Sequence, residues 1–258
     1  MRPLWTGAIG FGLVNIPVKL YSATESSNID LDMLDKKDHG RIKYMRVNEK
    51  TGKEVKWENI VKGYNTGHKH VVLDEKDFEK ANAVKTKLIE ITDFVKAEEI
   101  DSVYYEMPYY LAPDKSGERP YALLREALLK TKKAGVASFV MRNKEHLAIL
   151  CASETVIILN RIRFHEEIRV TDELSLPAKS TVKPAELQMA EALIRQLSGK
   201  FDISKYKNTY SAALMKVINA KAKGKEIAAP VMKVVHSKAK DLMEQLKASM
   251  ETKKKKAS

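Results

Sequence analysis

The sequence predicts a mainly β protein with α-helices, residues 1–183 reading mainly as strands and a helical region following them. Three observations carry this. Period-two hydrophobic runs recur from Trp5 to Phe164. Turn signals separate them, as at Asn48-Glu49-Lys50-Thr51-Gly52 and Asn143-Lys144-Glu145. From Lys183-Pro184 the period lengthens to that of a helix, with Leu187, Ala190, Ile194 and Leu197 on one face.

Each element follows in order. Ile9, Phe11 and Leu13 alternate with Gly10 and Gly12, which predicts a strand with one buried face and a glycine face open to close backbone approach. Pro17 lacks an N–H and makes Val18 to Tyr21 a strand start or an edge. Arg41 to Val47 and Glu54 to Trp57 form a hairpin about the first turn signal. Val71 to Leu73 is a short strand. Asp74, with Asp77 three residues on, caps a helix running towards Ala83. Lys87 to Val95 alternates, and the aromatic run Val103 to Leu111 ends at Ala112-Pro113. Pro120 opens a helix that runs to about Lys133 and stops at Gly135, with Leu123, Leu124, Ala127 and Leu128 on its apolar face. Val136 to Met141 and His146 to Cys151 make a second hairpin, and Thr155 to Phe164 closes the β region. Helices follow from Pro184 to Ser198-Gly199 and from Thr209 to Lys223, the latter stopped by Gly224. Lys225 to Pro230 reads as a linker. Leu242, Met243, Leu246 and Met250 then form a narrow stripe on a short basic helix, before the disordered run Lys253 to Lys256. The division expected is therefore 1–183, 184–224 and 225–258.

Charge points to the partner. The net charge is +12. From Lys205 to Ser258 there are 14 Lys against 4 acidic residues, whereas the first 204 residues carry 32 basic and 30 acidic. Such a tail suits a polyanion, nucleic acid ahead of an anionic membrane. No apolar run reaches the roughly 18 residues of a membrane span, and the opening reads as strand rather than signal peptide. The single cysteine, Cys151, lies in an apolar run and reads as a small core residue. These features favour the cytoplasm.

Chemistry is sparse. No phosphate-binding glycine loop is present, since Gly224-Lys225 lacks the required strand and spacing. His68 and His70 are close but lack further ligands, and Asp30, Asp32 and Asp35 lack a partner motif, so no metal is expected. The S-x-x-K matches at Ser180 and Ser237 are too short to signify. Basic residues do cluster: Arg41, Lys43, Arg46, Lys50, Lys53, Lys56 and Lys62 fall within 22 residues, with Tyr44 and Trp57 interleaved. An extended basic hairpin of this kind can follow a phosphate backbone without reading bases. Arg142 beside a hairpin turn, and Arg161 with Arg163 on one face of the last strand, form weaker groups.

The opening WTGAIGFGLVNIPVKLY resembles that of the bacterial Ku proteins, which bind DNA ends. Further blocks resemble the same family in the same order, among them ENIVKGY from Glu58, IEITDFV from Ile89, PYYLAP from Pro108, YALLREAL from Tyr121, QLSGKF from Gln196 and DLMEQLKAS from Asp241. The resemblance implies a β-barrel core in a homodimer whose extended arms close a ring around duplex DNA, with no cofactor and no catalysis. It implies recruitment of the ATP-dependent ligase D through the C-terminal region, for which Leu242, Met243 and Leu246 are the candidates. Lys43, Arg46, Lys56, Lys62 and Arg142 are the foremost candidates for the DNA-facing lining, followed by Lys19, Arg161 and Arg163. One departure is that some relatives carry cysteines where this chain has Met45 to Gly52, so metal stabilisation of that turn is not expected. Two other readings fit the composition: a DNA-processing lyase or nuclease, and a general architectural DNA-binding protein.

Overall fold

A tight hairpin opens the chain: β1 (Trp5–Phe11) pairs antiparallel with β2 (Val14–Ser22), Phe11 opposite Val14. Only Gly12 and Leu13 connect them. Gly12 has φ 57°, a conformation that glycine adopts without the steric cost of a Cβ. The alternation expected to carry Leu13 inward is therefore cut one residue early, and Leu13 stands fully exposed on the turn. The structure, a computed structural model, describes residues 1–81, 87–178 and 182–225.

Pro17 lies inside β2 rather than at its start. It sits opposite Ala8 at a position whose N–H points away from β1, and the next strand's pairing begins only at Val18. No ladder bond is lost. Close backbone approach occurs at Gly7, where a Cβ would collide with the Lys87 carbonyl. The expected open face at Gly10 is filled by the Leu88 side chain instead.

The remaining strands are β3 (Lys62–Asn65), β4 (His70–Leu73), β5 (Leu88–Lys96), β6 (Tyr105–Pro113), β7 (Lys133–Met141), β8 (Lys144–Ala152) and β9 (Ile157–Ile162). Seven of the nine strands among the described residues close a barrel in the order β1-β2-β6-β9-β8-β7-β5, and β3 with β4 makes a separate hairpin. The parallel pairing of β1 with β5, Ile9 opposite Ile89, closes the ring. Ile16, Val18, Leu20, Leu111, Phe139, Leu150 and Leu159 point into one buried core. The β7–β8 turn is two residues long, with Arg142 and Asn143 at φ 54° and 62°, the signature of a type I′ hairpin.

Two helices belong with these strands. The helix α1 (Glu75–Ala81) is capped as expected: the Asp77 amide donates to the Asp74 carboxylate at 2.9 Å, and the Asp74 amide to that of Asp77 at 3.1 Å. The helix α2 (Glu118–Thr131) closes one end of the barrel. It starts two residues before Pro120, and Lys132, at φ 53°, ends it. Gly135 lies within β7 and does not stop the helix. Its buried residues are Tyr121, Leu124 and Leu128, while Leu123 is 70% exposed. The Tyr121 hydroxyl donates to the Leu111 carbonyl at 2.6 Å and accepts from the Ile157 amide at 2.7 Å, joining β6 and β9.

The chain divides into two compact units. The barrel unit comprises Met1–Ser26 and Asp30–Val170, and the other comprises Ser27–Ile29 and the residues from Thr171. In the second unit α3 (Pro184–Leu197) begins after Lys183 and ends at Ser198. The helix α4 (Thr209–Ala222) is capped by Asn208, whose side chain accepts from the Ser211 amide at 3.0 Å.

Candidate nucleic-acid interface

Between β2 and β5 the chain leaves the barrel. None of the described residues from Tyr21 to Lys87 is buried. Its apolar side chains lie open, Tyr44 at 79% and Trp57 at 72% exposure. The expected strand from Arg41 to Val47 does not form. Single bridges join Leu34 to Arg41 and Val47 to Glu54, and the turn between the latter pair is held by the Asn48 side chain, which accepts from the amides of Lys50 and Thr51. The Val47–Glu54 bridge is flanked by hydrogen bonds from the Asn48 amide to the Lys53 carbonyl and from the Val55 amide to the Arg46 carbonyl, both at 2.8 Å, so the expected turn is present while the pairing stays too short for a strand.

This arm carries four of the predicted cations. The Arg46 guanidinium lies over the Trp57 ring, 4.6 Å from its centroid, beside Lys56. The Lys62 ammonium on β3 lies 4.8 Å from the Phe78 ring centroid and so ties α1 to the hairpin. Lys43 is exposed. Arg41 is drawn off to Asp32 at 2.7 Å.

A second group gathers at the barrel end opposite α2. Arg142, Lys144, His146 and Arg161 line one cavity of about 460 Å³ with Met107, Tyr109 and Met141. An adjoining cavity of about 240 Å³ shares Lys144, His146 and Arg161 and adds Glu106. Arg161 grips Glu106 with two hydrogen bonds, and this holds the carboxyl below its ordinary pKa. Burial, followed by the charges of Arg161 and Lys144, lowers the pKa of His146. Arg163 lies just past β9 and donates to the Tyr105 carbonyl at 3.2 Å.

Lys19 joins neither group. It lies on the outer wall of β2, its ammonium 2.5 Å from Asp114. The hydrogen bond to that carboxylate, then its charge, raises the lysine pKa. Cys151 is partly exposed, and burial pushes its thiol pKa up. Among the described residues no three His, Cys, Asp or Glu side chains form a group able to hold a metal, and no helix is long and apolar enough to cross a membrane. Leu242, Met243 and Leu246 lie outside the described residues.

Residues 10–189 match the family described as the Ku70/Ku80 beta-barrel domain. The chain belongs to the Ku family. A "Non-homologous end joining protein Ku" of Coxiella burnetii is 42% identical, over 98% of this chain and 96% of that protein. A protein of the same name from Archaeoglobus fulgidus is 40% identical over 97% and 99%. One from Bacillus subtilis is 42% identical over 88% and 74%.

The Ku barrel thus brings Arg142 and Arg161 together and leaves the arm cations as a separate set. Lys144, Glu106 and His146 escaped the sequence reading. Lys144 belongs to the turn expected at Asn143-Lys144-Glu145, whereas the structure makes it the first residue of β8, after a turn of Arg142 and Asn143. Glu106 carried no local signal, because its pairing with Arg161 joins positions 55 residues apart.

Proposed function

We propose that this protein binds the ends of linear double-stranded DNA as a ring-shaped homodimer. On this reading it acts in double-strand break repair by non-homologous end joining and brings the ATP-dependent ligase D to the break. The observation that carries the reading is the near end-to-end correspondence with relatives named for non-homologous end joining. The arm supports it physically. A segment of this length with no buried side chain cannot hold its shape on its own apolar contacts. A second copy supplies the missing contacts by two-fold symmetry, since each arm meets the same surface that it presents.

Cations on an extended arm and at the rim of a barrel suit phosphate contact without base readout. A closed ring loads only by threading a free terminus, so selectivity for ends comes from topology. The protein then acts as a binding and recruiting platform rather than an enzyme, with Leu242, Met243 and Leu246 as the ligase contact. Its DNA is cytoplasmic, in the bacterial nucleoid.

The test compares binding to one plasmid as a linear molecule and as a relaxed closed circle at matched salt. Binding to the linear form alone, with complexes trapped when the ends are then sealed, is the expected result. Equal binding to both forms would refute threading and assign the affinity to general electrostatics.

A further inference from the structure

The cavity lies at the barrel end opposite α2.

The cations Arg142, Lys144 and Arg161 line it together with Met107, Met141 and Leu4, Met107 being the cross-strand neighbour of Arg161 and Met141 that of Lys144. Among the described residues the only carboxylate bonded to these cations is Glu106, on Arg161. Neither Arg142 nor Lys144 has an ion-pair partner among the described residues. The I′ turn fixes the backbone of Arg142, and Lys144 opens β8 beside it. The uncompensated charge matches a dianion. A phosphomonoester carries about −1.5 to −2 at pH 7, and a diester only about −1. The volume, about 460 Å³, lies in the range of small-ligand sites.

We infer that this cavity binds a phosphomonoester of nucleotide size, its phosphate on Arg142, Lys144 and Arg161 and its apolar body against Met107 and Met141. The inference goes beyond end binding and does not rest on it. The ligand is either a free nucleotide or the phosphorylated terminus of a strand. His146 reports on occupancy. It faces Arg161, Lys144 and Glu106, it is bonded to the Met141 backbone, and Glu145 and Glu167 line the adjoining cavity. A bound dianion offsets the two cations that lower its pKa.

Calorimetry on the full chain with AMP, inorganic phosphate and adenosine tests this, together with a carbon-13 titration of His146. AMP is expected to bind more tightly than phosphate, adenosine to fail, and the His146 pKa to rise with AMP. Lys144→Gln is expected to weaken AMP about tenfold. Arg142→Asn should do the same while keeping a residue that tolerates positive φ. Equal binding of adenosine and AMP, or AMP affinity indifferent to Lys144→Gln, would overturn the inference. Short duplexes separate the sources. Displacement of AMP by 5′-phosphorylated ends but not 5′-hydroxyl ends assigns the site to strand termini, and displacement by neither assigns it to free nucleotide. Displacement by both makes the cavity part of the duplex-binding wall and refutes a monoester site. Preference for linear plasmid is measured on the unsubstituted protein, so a protein that selects ends yet ignores AMP refutes this inference alone.

Discussion

Arg161 and Glu106 meet across β9 and β6 in a two-pronged ion pair, Nε to Oε2 at 3.0 Å and Nη2 to Oε1 at 2.6 Å. The β6–β9 register shifts between Tyr105 and Met107, so Glu106 occupies a bulge. Bulges re-aim side chains at barrel rims, and this one gives the carboxylate its reach to Arg161. Glu106→Gln is expected to lower stability by at most about 1 kcal/mol near neutral pH, since the pair is partly in water, with side chains 19% and 34% exposed. The folded pKa of Glu106 is depressed, so its contribution is fully present above the unfolded value of about 4.3 and is lost as pH falls through the folded value. Urea unfolding at several pH values should show the two proteins converging in acid. A gap that persists there would mean the loss is one of packing.

Tyr121→Phe keeps the ring but removes the hydroxyl that serves Leu111 and Ile157. It leaves a buried carbonyl and a buried amide without that partner, at a cost of about 1–3 kcal/mol. The midpoint of chemical unfolding reads this directly. An unchanged midpoint would show that water replaces the hydroxyl.

Two glycines of the first hairpin should respond differently to alanine. At Gly12 the space is open and only the positive φ opposes a Cβ, so Gly12→Ala should cost about 1–2 kcal/mol. At Gly7 the new methyl group meets the Lys87 carbonyl and the Trp5 ring, so β1 and β5 must separate where the barrel closes. Gly7→Ala should therefore be the more damaging. Equal unfolding midpoints for the two would contradict the close approach.

Charge removal should distinguish free cations from engaged ones. Lys43→Gln and Lys56→Gln are each expected to lower the salt slope of DNA binding by about 1, for every sequence alike. Lys19→Gln should lower it less, because Asp114 already holds that ammonium. Filter binding over a range of salt concentrations gives the slopes. A slope unchanged by either arm substitution removes that residue from the lining.

Truncation before Asp241 removes the apolar stripe that includes Leu242, Met243 and Leu246. Loss of ligase stimulation with an unchanged melting temperature is expected of a recruiting helix. A large fall in melting temperature would instead show that the stripe packs on the rest of the protein.

Much of the fold was legible because its signals are local. The reciprocal caps of Asp74 and Asp77, the helix start at Lys183-Pro184 and the β7–β8 hairpin all rest on residues a few positions apart. Where the reading failed, a partner distant in sequence decided. The apolar face expected of α2 included Leu123 and left out Tyr121, but the Leu111 carbonyl and Ile157 amide hold the Tyr121 hydroxyl inside. Pro17 is tolerated inside β2 because the β6 ladder starts one residue beyond it. The predicted Arg41–Val47 strand pairs across its expected turn only at Val47–Glu54, so the turn was legible and the strand was not.

By itself the sequence determined the mainly β class, the family and the basic character, for alternation, ordered motifs and charge are properties of the chain before it folds. Only the tertiary structure decided which cations act together. Arg142 and Arg161 share a cavity because β7, β8 and β9 are adjacent in the closed barrel, whereas Lys19 on β2 is held by Asp114, the residue just past β6. An ion's surroundings depend on what lies within a few ångströms, and in a barrel those neighbours come from strands far apart in the chain.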